Sequence, residues 1–286
     1  MKIGILGLGL IGGSLGLALR QRGHWVMGVS RSQKTLETAL ARGAADQASA
    51  DLESLGKAEV IFLCTPIAKL LPSLEILIPH LRPGAVVTDV GSVKTAITLE
   101  GEKLWPNFVG GHPMAGTAEK GIEAARVNLF DQAPYVLTPT ERTAPEALAK
   151  LEDLIADLNV RIYRCSPEAH DQAVAWISHL PVMISAALIS ACGREPDPEI
   201  SRLAQTLASS GFRDTSRVGG GNPELGVMMA QYNQAALVEV IGFYQDQLAR
   251  VKAMIRDSDW AGVEAFLQQT QTARPLFVEP TEPIAE

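Results

Sequence analysis

Three glycines near the amino terminus have the spacing of a phosphate-binding turn. They follow a short apolar segment, Ile3 to Leu6, and precede an amphipathic stretch. The first glycine permits a tight turn, the second leaves room for a pyrophosphate, and the third lets the helix pack closely on the strand. Backbone N–H groups at the start of that helix then face the anion. The predicted phosphate-binding residues are Gly7, Gly9, Leu10, Ile11 and Gly12.

The residues after the next predicted strand bear on the choice of cofactor. Trp25 to Val29 is followed by Ser30, Arg31 and Ser32. An NAD site usually has an Asp or Glu at this place for the ribose 2′-hydroxyl, whereas an arginine accommodates a 2′-phosphate. Two hydroxyls beside a guanidinium suit a phosphate dianion. We therefore expect NADP, and the alternative of Arg31 as a solvated loop residue stays open.

A histidine between two glycines and a proline is the main candidate for proton transfer. His112 follows Gly110 and Gly111 at a predicted strand end, where an imidazole that titrates near neutrality can meet a substrate. Ser92, which follows the preceding predicted strand, is expected to orient His112. Both have simpler interpretations, since a loop histidine often bonds to a carbonyl and a serine often caps a helix.

Further polar residues lie where other predicted strands end. In an open α/β sheet, ligands bind beyond the carboxyl ends of the strands. Thr65 and Pro66 follow one buried strand and Asp89 ends the next. We expect these three residues to border the cofactor, and we expect no metal site.

The second half of the chain carries cations that can anchor an anionic substrate. Arg213 and Arg217 flank Asp214 and are predicted to bind carboxylates, with the alternative that one of them pairs with Asp214. His179 begins an apolar helical pattern. A histidine in such a place is more often a core residue than a ligand-binding one.

The elements that must position these residues alternate between strand and helix patterns as far as residue 165. This order predicts a doubly wound, Rossmann-type α/β sheet in residues 1–165. From residue 166 to residue 286 only helical patterns occur, which predicts an all-helical domain for substrate binding and dimerisation. The predicted strands are Ile3 to Leu6, Trp25 to Val29, Glu59 to Cys64, Ala85 to Asp89, Asn107 to Gly110, Tyr135 to Leu137 and Arg161 to Arg164.

Three helical patterns of the second half are too apolar to stand alone in water. Leu180 to Cys192, Ile200 to Leu207 and Pro223 to Ile255 carry apolar residues at three- and four-residue spacing with few charges. We expect these helices to pack against one another and against a second copy of the chain, which predicts a homodimer.

Composition favours a cytoplasmic enzyme. The 286 residues are 47% hydrophobic, and the net charge of −7 disfavours nucleic acid and anionic membranes as partners. The uncharged run Ile3 to Leu19 mimics a signal peptide or a short membrane span, but its glycine spacing opposes that interpretation. The odd number of widely spaced cysteines, Cys64, Cys165 and Cys192, predicts buried thiols in a reducing compartment.

Five segments together resemble the prephenate and arogenate dehydrogenases of tyrosine biosynthesis, in the family's order and over nearly the whole chain. The glycine turn is common to many families, whereas the His-Pro-x-Ala-Gly and Arg-Asp-x-x-Arg segments are specific to this one. The five segments are Gly7 to Gly12, Asp89 to Lys94, Gly110 to Gly116, Ser178 to Pro181 and Phe212 to Arg217.

The resemblance implies the chemistry and the roles of four residues. Hydride passes from the carbinol carbon of a cyclohexadienyl ring to the nicotinamide, while carbon dioxide leaves the opposite ring carbon. His112 receives the proton of the ring hydroxyl, Ser92 orients His112, Arg217 binds a substrate carboxylate, and His179 lines the substrate side chain. The NADP-type segment and the lack of a mutase or regulatory module favour arogenate as substrate, with prephenate dehydrogenase as the alternative.

Two positions depart from the family's pattern. Asn222 and Gly226 stand where relatives carry an acidic residue and a Trp, which changes charge and volume near the substrate.

Two other classes of protein remain open. A different two-domain reductase, acting on a 2-hydroxyacid or an imine, usually has a lysine in the helical domain, but no lysine occurs between Pro167 and Arg250. A silent NADP-binding redox sensor has no use for His112 and Arg217.

Overall fold

The first half of the protein is built on one eight-stranded sheet with the order β3-β2-β1-β4-β5-β6-β7-β8. The computed structural model describes residues 1–117 and 119–278. The seven predicted strands are all present, and a short strand, β3, adds to them. The strands are β1 (Lys2–Leu6), β2 (Trp25–Val29), β3 (Gln47–Ser49), β4 (Val60–Leu63), β5 (Val86–Asp89), β6 (Phe108–Pro113), β7 (Pro134–Thr138) and β8 (Arg161–Arg164).

The sheet separates two hydrophobic cores, because successive side chains along each strand point to opposite faces of the sheet. Phe62 belongs to one core, while its neighbours Ile61 and Leu63 belong to the other. Helices α1, α2 and α5 pack in the first core, and α3 and α4 pack in the second. This arrangement confirms the doubly wound fold. The helices are α1 (Leu10–Gln21), α2 (Gln33–Ala41), α3 (Ile67–Leu77), α4 (Thr95–Leu104) and α5 (Pro145–Ala156).

One strand pair breaks the parallel order. β7 runs antiparallel to β6, with Pro113 opposite Tyr135, whereas the other neighbouring pairs are parallel. The chain therefore leaves β6 and returns to β7 at the same edge of the sheet, the edge to which the carboxyl ends of β1, β4 and β5 point. The guanidinium of Arg42 holds the returning segment, donating to the carbonyls of Ile122 and Ala125 at 2.6 and 2.7 Å.

The second half is helical in its described residues, as predicted. Ser166 caps the first helix by accepting the N–H of Ala169 at 3.1 Å. A single π-helical turn, Ala175–His179, joins α6 to α7. The helices are α6 (Pro167–Val174), α7 (Leu180–Cys192), α8 (Pro198–Leu207), α9 (Ser210–Ser216), α10 (Pro223–Tyr232), α11 (Gln234–Arg256), α12 (Trp260–Ala273) and α13 (Pro275–Val278).

Two predictions for this half are corrected. The pattern from Pro223 to Ile255 is two helices rather than one, because the backbone of Asn233 leaves the helical region with φ −125° and ψ 37°. Cys192 is exposed rather than buried, because it ends α7 beyond the packed part of that helix; Cys64 and Cys165 are partly buried, and all three are free thiols.

One stretch of the described chain, Pro167–Cys192, is long and apolar enough by composition to span a membrane, with a mean hydropathy of 1.7. Its amino-terminal part carries His170 and Asp171, which are buried and bonded to the sheet domain. Such polar contacts are those of a helix packed inside a protein.

Candidate active site

The geometry of the glycine turn fits a phosphate group. Gly7 has φ +100°, and a Cβ there would lie 2.6 Å from the carbonyl oxygen of Cys64. A Cβ on Gly12 would lie 2.0 Å from the carbonyl oxygen of Gly7, whereas one on Gly9 would meet nothing within 4 Å. The N-terminus of α1, with Leu10 as its first residue, has no side-chain cap. Open space before uncapped N–H groups fits the pyrophosphate of a dinucleotide.

At the same edge, the hydroxyls of Thr65 and Ser92 have no partner among the described residues. The Oγ1 of Thr65, after β4, and the Oγ of Ser92, after β5, are buried and form no hydrogen bond within the described part of the chain. A buried hydroxyl without a partner costs about 1–3 kcal/mol, which a bound ligand can offset. Pro66 is exposed and is the N-cap residue that precedes α3. Thr65 and Ser92 therefore fit the border of a cofactor site.

The residues after β2 leave one cation free. Ser32 caps α2 by accepting the N–H of Thr35 at 3.3 Å, and Ser30 accepts the N–H of Ser32 at 3.3 Å. Arg31 is exposed and has neither a hydrogen bond nor an ion pair with residues 1–117 or 119–278. The guanidinium is thus available to an anion beside β2.

His112 lies in a chain of hydrogen bonds that the sequence analysis did not find. Its Nδ1 is 2.8 Å from Nε2 of His170, and Nδ1 of His170 is 2.8 Å from Oδ1 of Asp171. The carboxylate of Asp171 also accepts the backbone N–H groups of Lys94 at 2.7 Å and Thr95 at 2.9 Å, at the start of α4. The orientation of His112 comes from this chain, and no hydrogen bond joins it to Ser92 in the described structure.

The ionic states of this chain follow from burial and charge. Burial lowers the pKa of His112 well below its usual value, and the neighbouring His170, Lys94 and His179 act in the same direction. The ring is therefore neutral near pH 7 and can accept a proton. Burial raises the pKa of Asp171, but its hydrogen bonds with His170, Thr95 and Lys94 outweigh burial, so the pKa lies below its usual value.

Asp89 and Lys94 form a fully buried ion pair beneath the histidine. Asp89 also accepts the N–H groups of Gly91 at 2.8 Å and Gly111 at 3.2 Å, and Lys94 donates to the carbonyl of Gly111 at 2.8 Å. Both oxygens of Asp89 have partners inside the protein. The structure thus places Asp89 where it fixes the strand that carries His112, and not where it faces a cofactor.

His179 belongs to the same buried cluster. The Nδ2 group of Asn233 donates to the carbonyl of Asp171 at 2.7 Å and lies 3.1 Å from Nδ1 of His179. The other ring nitrogen of His179, Nε2, is buried and has no partner in the described structure. Burial lowers the pKa of His179 to about 4, so the ring is neutral near pH 7.

The two predicted anchoring arginines lie on the surface of the helical domain. Arg213 lies on α9, with its Nε 3.8 Å from Oδ1 of Asp214, and both side chains are largely exposed. Arg217 begins the 3-10 turn after α9, and no hydrogen bond or ion pair with a described residue holds it. The structure does not join either guanidinium to His112 by a hydrogen bond.

Three residues of the site escaped the sequence analysis: His170, Asp171 and Asn233. The sequence contained a signal for His170 and Asp171, because the two are adjacent and lie in the first turns of the helix that follows the last predicted strand. Asn233 gave no signal, because its position inside a long apolar pattern looked helical. No cluster of three metal-ligating side chains occurs among the residues searched, which are the described ones.

Comparison with known proteins identifies two matching sequence families. Residues 15–164 match "Prephenate dehydrogenase, nucleotide-binding domain", and residues 166–269 match "Prephenate dehydrogenase, dimerization domain". The two matches meet where the last strand of the sheet gives way to α6.

Individual relatives agree with the family matches. The crystal structure of Synechocystis arogenate dehydrogenase is 59% identical, has a TM-score of 0.88, and is matched over 97% of this chain and 100% of that one. The structure of prephenate dehydrogenase from A. aeolicus in complex with hydroxyphenyl propionate and NAD+ is 26% identical, has a TM-score of 0.90, and is matched over 96% and 97%. Cyclohexadienyl dehydrogenase of Zymomonas mobilis is 29% identical over 95% of this chain and 94% of its own length.

A glycine turn that fits a dinucleotide, a neutral histidine at the same edge of the sheet and matches over both halves all agree. The chain belongs to the prephenate dehydrogenase family of oxidoreductases.

Proposed function

We propose that this protein is an NADP-dependent arogenate dehydrogenase, which converts L-arogenate to L-tyrosine with loss of carbon dioxide. The observation that carries the proposal is the neutral imidazole of His112, oriented through its Nδ1 at the edge of the sheet where the glycine cradle lies. A redox sensor needs the cradle but not an oriented base.

His112 is the residue that handles the proton of the ring hydroxyl. With Nδ1 engaged by His170, its Nε2 accepts the hydroxyl hydrogen while the carbinol carbon loses hydride. The ring carboxylate leaves as carbon dioxide, its bonding electrons complete the aromatic ring, and the proton returns to the phenolic oxygen. The bound nicotinamide supplies the hydride acceptor.

The arginines of the helical domain bind the substrate's carboxylates in this proposal. Arg217 has no partner in the described structure, so its guanidinium is free to form a bidentate pair with a carboxylate. Arg213 contributes less, because it already lies beside Asp214. His179 lines the substrate side chain, with its buried Nε2 lacking a protein partner.

The cofactor is NADP because of the segment after β2. Arg31 is unpaired within the described structure, and Ser30 and Ser32 stand on either side of it. We assign the 2′-phosphate to these three residues. Thr65 and Ser92 border the cofactor's other end, since both carry buried hydroxyls without partners.

Arogenate is the proposed substrate because the Synechocystis arogenate dehydrogenase is 59% identical over nearly the whole chain. Prephenate dehydrogenase is the second candidate, supported by the family name and by the A. aeolicus enzyme. In this proposal the enzyme works in the cytoplasm as a homodimer, and the match of its helical half to a dimerization domain supports the dimer.

The test is a steady-state assay of the purified protein with each substrate and each cofactor. Formation of reduced cofactor is followed by absorbance, and tyrosine or hydroxyphenylpyruvate is identified as the product. We expect the highest kcat/KM with arogenate and NADP+. A preference for prephenate selects the second candidate, and no turnover with either substrate rejects both.

A further inference from the structure

The carboxylate of Asp171 determines which nitrogen of His112 carries a proton. An ionised carboxylate only accepts hydrogen bonds, so Nδ1 of His170, 2.8 Å away, carries hydrogen. When the ring of His170 carries this one proton only, its Nε2 holds a lone pair, and Nδ1 of His112 donates to it across 2.8 Å. His112 is left with a lone pair on Nε2. The backbone N–H groups of Lys94 and Thr95 hold the carboxylate in place.

The backbone carbonyl of the same residue determines the opposite state of His179. A carbonyl oxygen only accepts, so the amide group of Asn233 that lies 2.7 Å from the carbonyl of Asp171 is its NH2. This NH2 is also 3.1 Å from Nδ1 of His179, and an NH2 only donates. Nδ1 of His179 is therefore the acceptor, and the proton of its neutral ring lies on Nε2.

We infer that Asp171, through His170 and Asn233, holds His112 and His179 in opposite tautomers, one with a proton-accepting Nε2 and the other with a proton-donating Nε2. His170, Asp171 and Asn233 are positioning residues in this scheme. Each branch consists of two hydrogen bonds among residues that are buried or nearly so; the Asn233 branch includes one bond to the backbone carbonyl of Asp171.

The ligand chemistry that fits His179 follows from its tautomer. Its Nε2–H is buried and has no acceptor in the described structure, and a buried donor is costly until it finds one. A carboxylate or keto oxygen on the side chain of the substrate supplies that acceptor. An ammonium group does not, because it has no lone pair to offer.

This inference deepens the proposed function and rests on it for the identity of the substrate. In the same site His112 takes a proton from the ring hydroxyl while His179 gives a hydrogen bond to an oxygen of the side chain. Exchanging the two tautomers would remove both interactions. The network therefore separates the residue that serves catalysis from the one that serves binding.

The tautomers are measured directly in the full chain labelled with ¹⁵N-histidine. Long-range ¹H–¹⁵N correlation spectra near neutral pH, with and without NADP+, distinguish protonated from unprotonated ring nitrogens. Substitution of each of the five histidines in turn assigns the signals. We expect the proton of His112 on Nδ1 and that of His179 on Nε2. A proton on Nε2 of His112, or on Nδ1 of His179, overturns the inference.

Two variants test the branches separately. His170→Phe removes the acceptor of His112 and is expected to lower kcat by about 10- to 100-fold, part of what a positioned base contributes, with little change in substrate KM. Asn233→Leu removes the donor to His179 and is expected to raise substrate KM by about tenfold with a smaller change in kcat. Each variant should alter the tautomer of its own histidine alone. Unchanged tautomers in both variants contradict the inference.

A matched control lies at the opposite edge of the sheet. His24 is bonded to Asp157 at 2.7 Å, just before β2, and His24→Phe is expected to leave both tautomers and both kinetic constants unchanged. The tautomers are observed without substrate, so they do not depend on the proposed reaction. A wild-type protein that turns over neither substrate but shows both tautomers refutes the function and supports the network.

Discussion

His112 is suited to accept a proton on Nε2 because its other ring nitrogen, Nδ1, is already hydrogen-bonded to His170. Its Nδ1 faces His170 at 2.8 Å, while no hydrogen bond engages Nε2 among the described residues. Burial and three neighbouring cationic or titratable groups keep the ring neutral. These are local properties, so their consequences are tested by single substitutions.

Replacing His112 with asparagine removes the base and keeps a polar side chain of similar size. We expect His112→Asn to lower kcat by about 10²- to 10⁴-fold, the usual contribution of a positioned base. NADP+ affinity, measured by fluorescence titration, should change little. His80→Asn, which changes a histidine 3.8 Å from Glu53 near the end of α3, should retain full turnover. An unchanged kcat in the His112 variant removes this residue from the mechanism.

The pH profile of kcat/KM reports the ionisation of the same ring. Burial, followed by the effects of His170, Lys94 and His179, lowers the pKa of His112 well below its usual value of about 6.5. The neutral form is the active one, so activity should be full at pH 6.5 and fall only at more acidic pH. An acid limb centred at or above pH 6.5 in the wild type would contradict this assignment.

Arg31 is expected to decide between NADP+ and NAD+. A hydrogen bond to a charged group is worth about 1.5–3 kcal/mol, so Arg31→Ala should raise the KM for NADP+ by about 10- to 100-fold and leave that for NAD+ nearly unchanged. Lys57→Ala removes the same charge at the amino-terminal edge of the sheet, just before β4, and should alter neither value. A retained preference for NADP+ in the Arg31 variant would assign the 2′-phosphate elsewhere.

At the scale of elements, the turn between β1 and α1 separates a glycine needed for folding from one needed for binding. A Cβ on Gly12 would collide with the backbone of Gly7, whereas one on Gly9 would enter open space. The backbone of Gly9, with φ −86°, is also accessible to alanine. The same chemical change therefore has different effects at two positions three residues apart.

We expect Gly12→Ala to destabilise the protein by about 1–3 kcal/mol or more, as overpacking does, and to abolish cofactor binding. Gly9→Ala should leave the free energy of unfolding within about 0.5 kcal/mol of wild type and still weaken binding of NADP+. Chemical denaturation and fluorescence titration measure the two quantities. If Gly9→Ala binds NADP+ normally, the pyrophosphate does not lie at this turn.

At the scale of the whole molecule, the helical half leaves apolar surface uncovered. On α8, Ile200, Leu203 and Leu207 form a stripe at helical spacing, and each is about half exposed or more. No residue of α8 is buried within the chain. Since this half matches a dimerization domain, a second copy of the chain is the expected cover.

The mass in solution tests this expectation. Light scattering should give twice the 30.6 kDa of one chain. Leu203→Glu places a charge on the stripe and is expected to shift the protein toward monomer, while Gln205→Glu, on another face of the same helix, should keep it dimeric. A Leu203 variant that remains fully dimeric at low concentration would place the interface on other helices.

The sequence alone determined the fold class, the glycine turn between β1 and α1 and the position of His112 near a strand end. Each of these can be predicted from the spacing of residues that are close in sequence. The signals are glycines at fixed intervals, apolar residues at strand or helix periods, and a histidine where a strand ends. Local spacing also led to two errors, the unbroken helix through Asn233 and the burial of Cys192, because a periodic pattern does not show where packing stops.

Only the tertiary structure decided what orients His112. The sequence pattern predicted this part for Ser92, 20 residues before His112, whereas the hydrogen bond comes from His170, 58 residues after it. The tertiary structure likewise pairs the buried carboxylate of Asp89 with Lys94 and joins Asn233 to His179 by a hydrogen bond. These contacts depend on how strands and helices pack, within each half of the chain and between the two halves. No sequence period encodes that packing, so it becomes visible only when the chain is folded.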